Sequence, residues 1–183
     1  MPSRRTGVSL LGRVAAALRE VGISFATIGA IALAARGVSR STLDIDLLST
    51  DVRCLDSEVW SAVESGGAIS EIRRGDVEDP LAGVVRIRQE GERPVDVVVG
   101  RARWQGEAVR SAEPLAVLDV IIPVVRSVDL VLLKLFAGGP QDAWDIGQLL
   151  AANRDGTLAA AVEKSLPRLP RHATALWQRI RVG

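Results

Sequence analysis

The 183 residues are enough for one compact domain, or for a small core with a helical appendage. A hydrophobic content of 48% with 25% charged residues excludes a disordered chain, and a formal net charge of +1 excludes a global electrostatic pull toward nucleic acid. A single cysteine, Cys54, excludes an intrachain disulfide framework, and no apolar run reaches the roughly 18–20 residues of a membrane span, so a cytoplasmic protein without a membrane partner is expected.

In chain order, residues 9–20 space their apolar positions as a helix does. Gly22 punctuates, and 23–28 reads as a short buried strand. Gly29 and Ala30 open a second helix over 31–36, which Gly37 terminates. After the polar turn 39–42 comes an alternating strand that carries Asp44 and Asp46. A helix is expected over 56–64 with Asp56 as its N-cap, followed by strands over 68–75 and 82–89. The segment 90–94 forms a hairpin turn into a third apolar strand that carries Asp96. A mixed stretch leads to a strand end near 121–124, and helices are expected over 128–136, 141–152, 157–164 and within 173–180. The pattern is α/β (α+β), a largely antiparallel mixed sheet flanked by helices, with a core over 1–125 and a helical C-terminal part over 126–183.

The period of two directs Asp44 and Asp46 to one face of a strand that is otherwise apolar. Neighbouring carboxylates repel and lose hydration unless a cation compensates them, and a hard ion such as Mg²⁺ does so through oxygen ligands. With Asp96 the strands offer three carboxylates, enough for a two-metal site, and these three are expected to converge beside Gly29. The strand–Gly29–helix junction aims free N–H groups at an anion, or is simply a turn. Arg40 and Thr42, just upstream of the aspartates, could grip phosphate oxygens or merely form a solvated turn. Only two of the 23 basic residues are lysines, and Lys134 lies in an apolar helix, where it either snorkels to solvent or meets a polyphosphate. Asp142 and Asp145 share a face of the next helix and could pair with Lys134 or favour that helix's N-terminus. Lys164, Arg168, Arg171, Arg179 and Arg181 form a basic C-terminal segment, with His172 expected at the surface.

Four blocks carry a family resemblance: Ile28 to Ala30; Gly37 to Asp46, which reads Gly-x-x-Arg-x-Thr-x-Asp-x-Asp; Val95 to Val97; and Asp129 to Gly138 with Gln141 to Ile146. On these the chain resembles nucleotidyltransferases of the polymerase-β superfamily, and within it the AbiEii-like toxin and related minimal groups. The resemblance implies a nucleotidyltransferase-type sheet and transfer of NMP from an NTP to an acceptor hydroxyl with release of pyrophosphate. Asp44, Asp46 and Asp96 would bind Mg²⁺, or Mn²⁺ in its place. Gly29, Ala30, Arg40, Thr42 and Lys134 would bind the nucleotide, and Asp145 would support the metal or acceptor side. It further implies a toxin–antitoxin protein acting on tRNA, with a cognate antitoxin or toxin as partner. Protein AMPylation, or a decayed enzyme that only binds a nucleotide or partner, is the alternative. Ala30, Gly139 and Gln141 depart from the residues usual in relatives, which bears on nucleotide affinity and acceptor choice more than on the metal ligands.

Overall fold

The computed structural model describes residues 8–39, 44–118 and 120–182. Helix α1 (Leu10–Glu20) starts where the Ser9 hydroxyl accepts from the Gly12 N–H at 3.2 Å, and it buries Leu10, Leu11, Val14 and Leu18. Strand β1 (Ala26–Ile28) is shorter than expected and runs straight into α2 (Gly29–Ala35). Strand β2 (Ile45–Ser49) begins one residue after Asp44.

The expected helix over 56–64 is not a single element. Short 3-10 turns, Val52–Leu55 and Ser57–Trp60, precede a five-residue helix α3 (Ser61–Ser65), and the Asp56 side chain caps neither. The buried Trp60 indole donates to the Cys54 carbonyl at 2.9 Å, and Asp56 instead meets Arg74 at 3.3 Å. Packing of one large aromatic sets this segment, which overrides its helical spacing.

Strands β3 (Ile69–Arg74), β4 (Leu81–Arg88) and β5 (Val95–Gly100) follow as an antiparallel meander. The mixed stretch contains a helix, α4 (Arg103–Arg110), and a strand, β6 (Glu113–Val117), before β7 (Val120–Val124). Gly106 obscured α4 because glycine is a poor helix former. A Cβ there would lie only 3.2 Å from the Thr50 hydroxyl and 3.3 Å from Arg110, so the close approach explains the glycine. Pro114 in β6 is tolerated because β6 lies at the sheet edge.

Among the described residues the seven strands form one sheet in the order β3-β4-β5-β2-β1-β7-β6, with parallel pairs only at β2–β5 and β1–β7. Its buried face carries Ile45, Leu47, Val85, Ile87, Val95 and Val97, packed against α1 and the 3-10 turn before Asp56. The opposite face stays partly open on β3, β4 and β5.

The chain ends in α5 (Ser127–Ala137), α6 (Pro140–Ala152), α7 (Thr157–Ser165) and α8 (Arg171–Val182). Helix α5 packs on α6, α7 and α8, and it reaches α2 in the core. Gly138 closes α5 in the left-handed conformation, and Pro140 opens α6 where a missing N–H costs nothing. Among the described residues no helix is long and apolar enough to cross a membrane.

Candidate active site

Strand register assembles the site. Ile28 stands opposite Asp46, Asp46 opposite Asp96, Asp96 opposite Arg86, and Arg86 opposite Glu71. Directly opposed residues of paired strands project to the same side, so Asp46, Asp96, Arg86 and Glu71 form one row across β2, β5, β4 and β3. The row lies on the open face of the sheet. A groove of about 380 Å³ continues from Asp96 and Arg86 over Val84 to Arg73, Asp79, Pro80 and Leu81.

Gly29 sits at φ +65°, in the left-handed region that lets β1 turn at once into α2. A Cβ on Gly29 would fall 2.1 Å from Asp46 Oδ2, so the glycine is the wall against which that carboxylate packs. Helix α2 spans only seven residues, and the contribution of Gly29 is this close approach more than a helix dipole. Ala30 is buried. Arg40 and Thr42, read from the sequence as phosphate ligands, lie outside the described residues.

The guanidinium of Arg86 joins the first and third aspartates. Its Nη2 donates to Asp44 Oδ2 at 3.1 Å, and its Nη1 lies 3.6 Å from Asp96 Oδ2. Asp96 Oδ1 and Arg86 Nε are buried and have no hydrogen-bond partner among the described residues. Burial pushes the Asp96 carboxyl above the usual carboxylate range; the Arg86 charge opposes that shift and the Asp44 charge adds to it.

Asp46 thus stands beside Gly29 and next to Asp96, but Asp44 is linked to Asp96 through Arg86. Among the described residues no three His, Cys, Asp or Glu side chains stand together in a way that could hold a metal ion. The donor chemistry suits a hard divalent ion: Asp46 and Asp96 share one face with Asp44 just before it, and Asp96 Oδ1, buried, lacks a partner among the described residues.

Lys134 and Asp145 form a second cluster. Lys134 is 6% exposed and Asp145 is fully buried; Nζ lies 2.5 Å from Asp145 Oδ2 and 3.1 Å from Asp142 Oδ1. Asp142 also accepts from the Gly139 N–H at 3.0 Å, so it caps α6 and pairs with the lysine together. Gln141 Nε2 approaches Asp145 Oδ1 at 3.4 Å. The lysine does not snorkel: two carboxylates neutralise its ammonium between α5 and α6. Part of the basic C-terminal segment is likewise engaged, Arg168 with Glu107 at 2.9 Å and Arg181 with Glu163 at 3.8 Å. His172 is exposed, with Nε2 3.0 Å from the Phe136 carbonyl oxygen.

Arg86 and Glu71 were not singled out in the sequence. The only local signal is a polar residue in the alternation Val84-Val85-Arg86-Ile87, and pairing register alone sets it opposite Asp96.

No protein-family model matches the chain, and no curated protein matches it. Solved structures do. The solution structure of the antibiotic-resistance factor ANT(2'')-Ia matches with a TM-score of 0.55 at 17% identity, over 95% of this chain and 96% of that one. The crystal structure of ANT(2'')-Ia in complex with adenylyl-2''-tobramycin matches with a TM-score of 0.51 at 19% identity, over 97% and 98% of the two chains. The chain therefore has a nucleotidyltransferase-type fold over nearly its whole length. At this identity the likeness concerns architecture, and activity has to be argued from the site.

Proposed function

We propose that the protein is a divalent-metal-dependent nucleotidyltransferase that moves an NMP from an NTP to an acceptor hydroxyl and releases pyrophosphate. One observation carries the reading: Asp46 and Asp96 are in register on one open sheet face, with Asp46 packed on Gly29 and Asp44 just before it. The fold shared with ANT(2'')-Ia supports it. Asp44, Asp46 and Asp96 would hold Mg²⁺ or Mn²⁺. Bound there, the ion would neutralise the triphosphate and polarise the α-phosphate. The acceptor oxygen bonds to the α-phosphorus, the bond to the β-phosphate oxygen breaks, and pyrophosphate departs with that electron pair. The acceptor proton passes through Asp96 to solvent. Gly29 keeps the backbone close to Asp46 so that its carboxylate is held in position, and the residues supply positioning and electrostatics with no covalent intermediate.

The groove beside Asp96 has the volume of a small-molecule site. That size favours a small hydroxylated acceptor over the tRNA that the toxin resemblance implies. ANT(2'')-Ia bound to an adenylylated small molecule is a precedent on the same fold. The test is incubation with Mg²⁺ and each α-labelled NTP, offering a small-molecule extract, total tRNA and cell protein as separate acceptors. Label should enter the small-molecule pool with wild type and vanish with Asp46→Asn. Label in tRNA would restore the toxin reading, and label in protein would favour AMPylation. No label in any pool, with no pyrophosphate released, refutes the activity.

A further inference from the structure

Arg86 has no role in the chemistry described so far, yet it stands between two of the three carboxylates. We propose that Arg86 is the internal counter-cation of the site: its guanidinium holds Asp44 and Asp96 in place of the divalent ion, and it must leave them before that ion binds. The inference rests on the metal-site reading above.

Three observations carry it. First, the side chain is aimed at the aspartates by register, because Arg86 is the residue of β4 directly opposite Asp96. Second, it bridges Asp44 at 3.1 Å and Asp96 at 3.6 Å, so its guanidinium stands between two of the three carboxylates. A guanidinium and a divalent ion cannot share the same carboxylate oxygens, since like charges at such separations repel strongly. Third, the contact is built to be released. Arg86 and Asp44 are 39% and 37% exposed, and half-exposed pairs of this kind hold weakly. The Nε of Arg86 is buried with no partner among the described residues, so the contact leaves part of its hydrogen-bonding capacity unused.

The released side chain has somewhere to go. The groove that it lines continues away from Asp96 to Glu71, opposite Arg86 on β3, and to Asp79. Glu71 now pairs with Arg88, and Asp79 Oδ2 accepts from the Asp76 N–H at 2.9 Å. Glu71, directly opposite Arg86, offers it a second position on the acceptor side. Metal-bound nucleotide would thus move one cation from the carboxylates into the groove where the acceptor is expected.

The experiment is a Mn²⁺ titration of the full chain, read by electron paramagnetic resonance, with and without a non-hydrolysable NTP. Arg86→Met should bind Mn²⁺ about tenfold or more tighter than wild type in the absence of nucleotide, because one repelling charge is gone. Arg86→Lys, which keeps the charge, should stay near wild type. Equal or weaker Mn²⁺ binding by Arg86→Met overturns the counter-cation role alone, provided that wild type binds Mn²⁺ with nucleotide. No Mn²⁺ binding by any variant, with nucleotide present, overturns the metal site and the counter-cation together. A second measurement guards against misfolding of the variants. In wild type the NMR signal of the Arg86 Nε–H should shift on addition of Mg²⁺ and nucleotide, and an unmoved signal under saturating ligand overturns the proposal.

Discussion

Replacing Gly29 by alanine tests whether the glycine serves Asp46 or only the turn. At φ +65° an L-residue costs about 1–2 kcal/mol in backbone strain. The new Cβ would also lie 2.1 Å from Asp46 Oδ2, so the carboxylate must leave its rotamer, at a further cost of about 0.5–1.5 kcal/mol. Gly22 supplies a matched control: it has φ +68°, and nothing lies within 4 Å of a Cβ there, so Gly22→Ala carries the backbone cost alone. For a chain of this size each kcal/mol lowers Tm by about 2–4 °C. Gly29→Ala should therefore melt roughly 7 °C below wild type and Gly22→Ala roughly 4 °C below, by scanning calorimetry. The functional contrast should be larger: Gly22→Ala keeps nucleotide transfer, and Gly29→Ala loses at least about 90% of it because a displaced Asp46 no longer faces Asp96. Equal melting of the two variants, with normal transfer by Gly29→Ala, would refute the reasoning.

The remaining predictions concern charges and the thiol. Lys134→Met leaves Asp142 and Asp145 without their cation in a buried place, and denaturant unfolding should show a loss of about 3–5 kcal/mol. Unchanged stability with a raised KM for NTP would instead return Lys134 to the triphosphate. Because burial raises Asp96, its charged form is lost at a higher pH than for an ordinary carboxylate. Divalent-ion affinity, read by Mn²⁺ titration at a series of pH values, should therefore begin to fall at a pH above the normal carboxylate range, and Asp96→Asn should abolish activity at every pH. Burial pushes the Cys54 thiol up to about 11, so a thiol reagent at neutral pH should label it only after unfolding. Rapid labelling of the native protein would contradict its burial.

Much of the candidate site was legible because it is local. The Asp44-Ile45-Asp46 alternation and Gly29 between a strand and a helix are short-range patterns, and short-range patterns survive in one dimension. The same holds for α1 and for α5 to α8, whose apolar spacing marks them directly. Where the reading went astray, a contact from elsewhere in the chain had overridden local preference. Trp60, buried with its indole on the Cys54 carbonyl, interrupts the helix expected over 56–64, and Gly106, which the close approach of Thr50 requires, hides α4 from a local reading.

The sequence by itself determined which residue types could do phosphoryl chemistry and the faces that Asp44, Asp46 and Asp96 would occupy, because strand periodicity sets side-chain direction without reference to partners. The tertiary structure alone decided which strands lie side by side and in what register. That pairing brought Arg86 opposite Asp96 and within reach of Asp44, and gave Lys134 to Asp142 and Asp145. Register is a property of two segments at once, here β4 and β5 for Arg86 and Asp96, and no pattern within either segment encodes it.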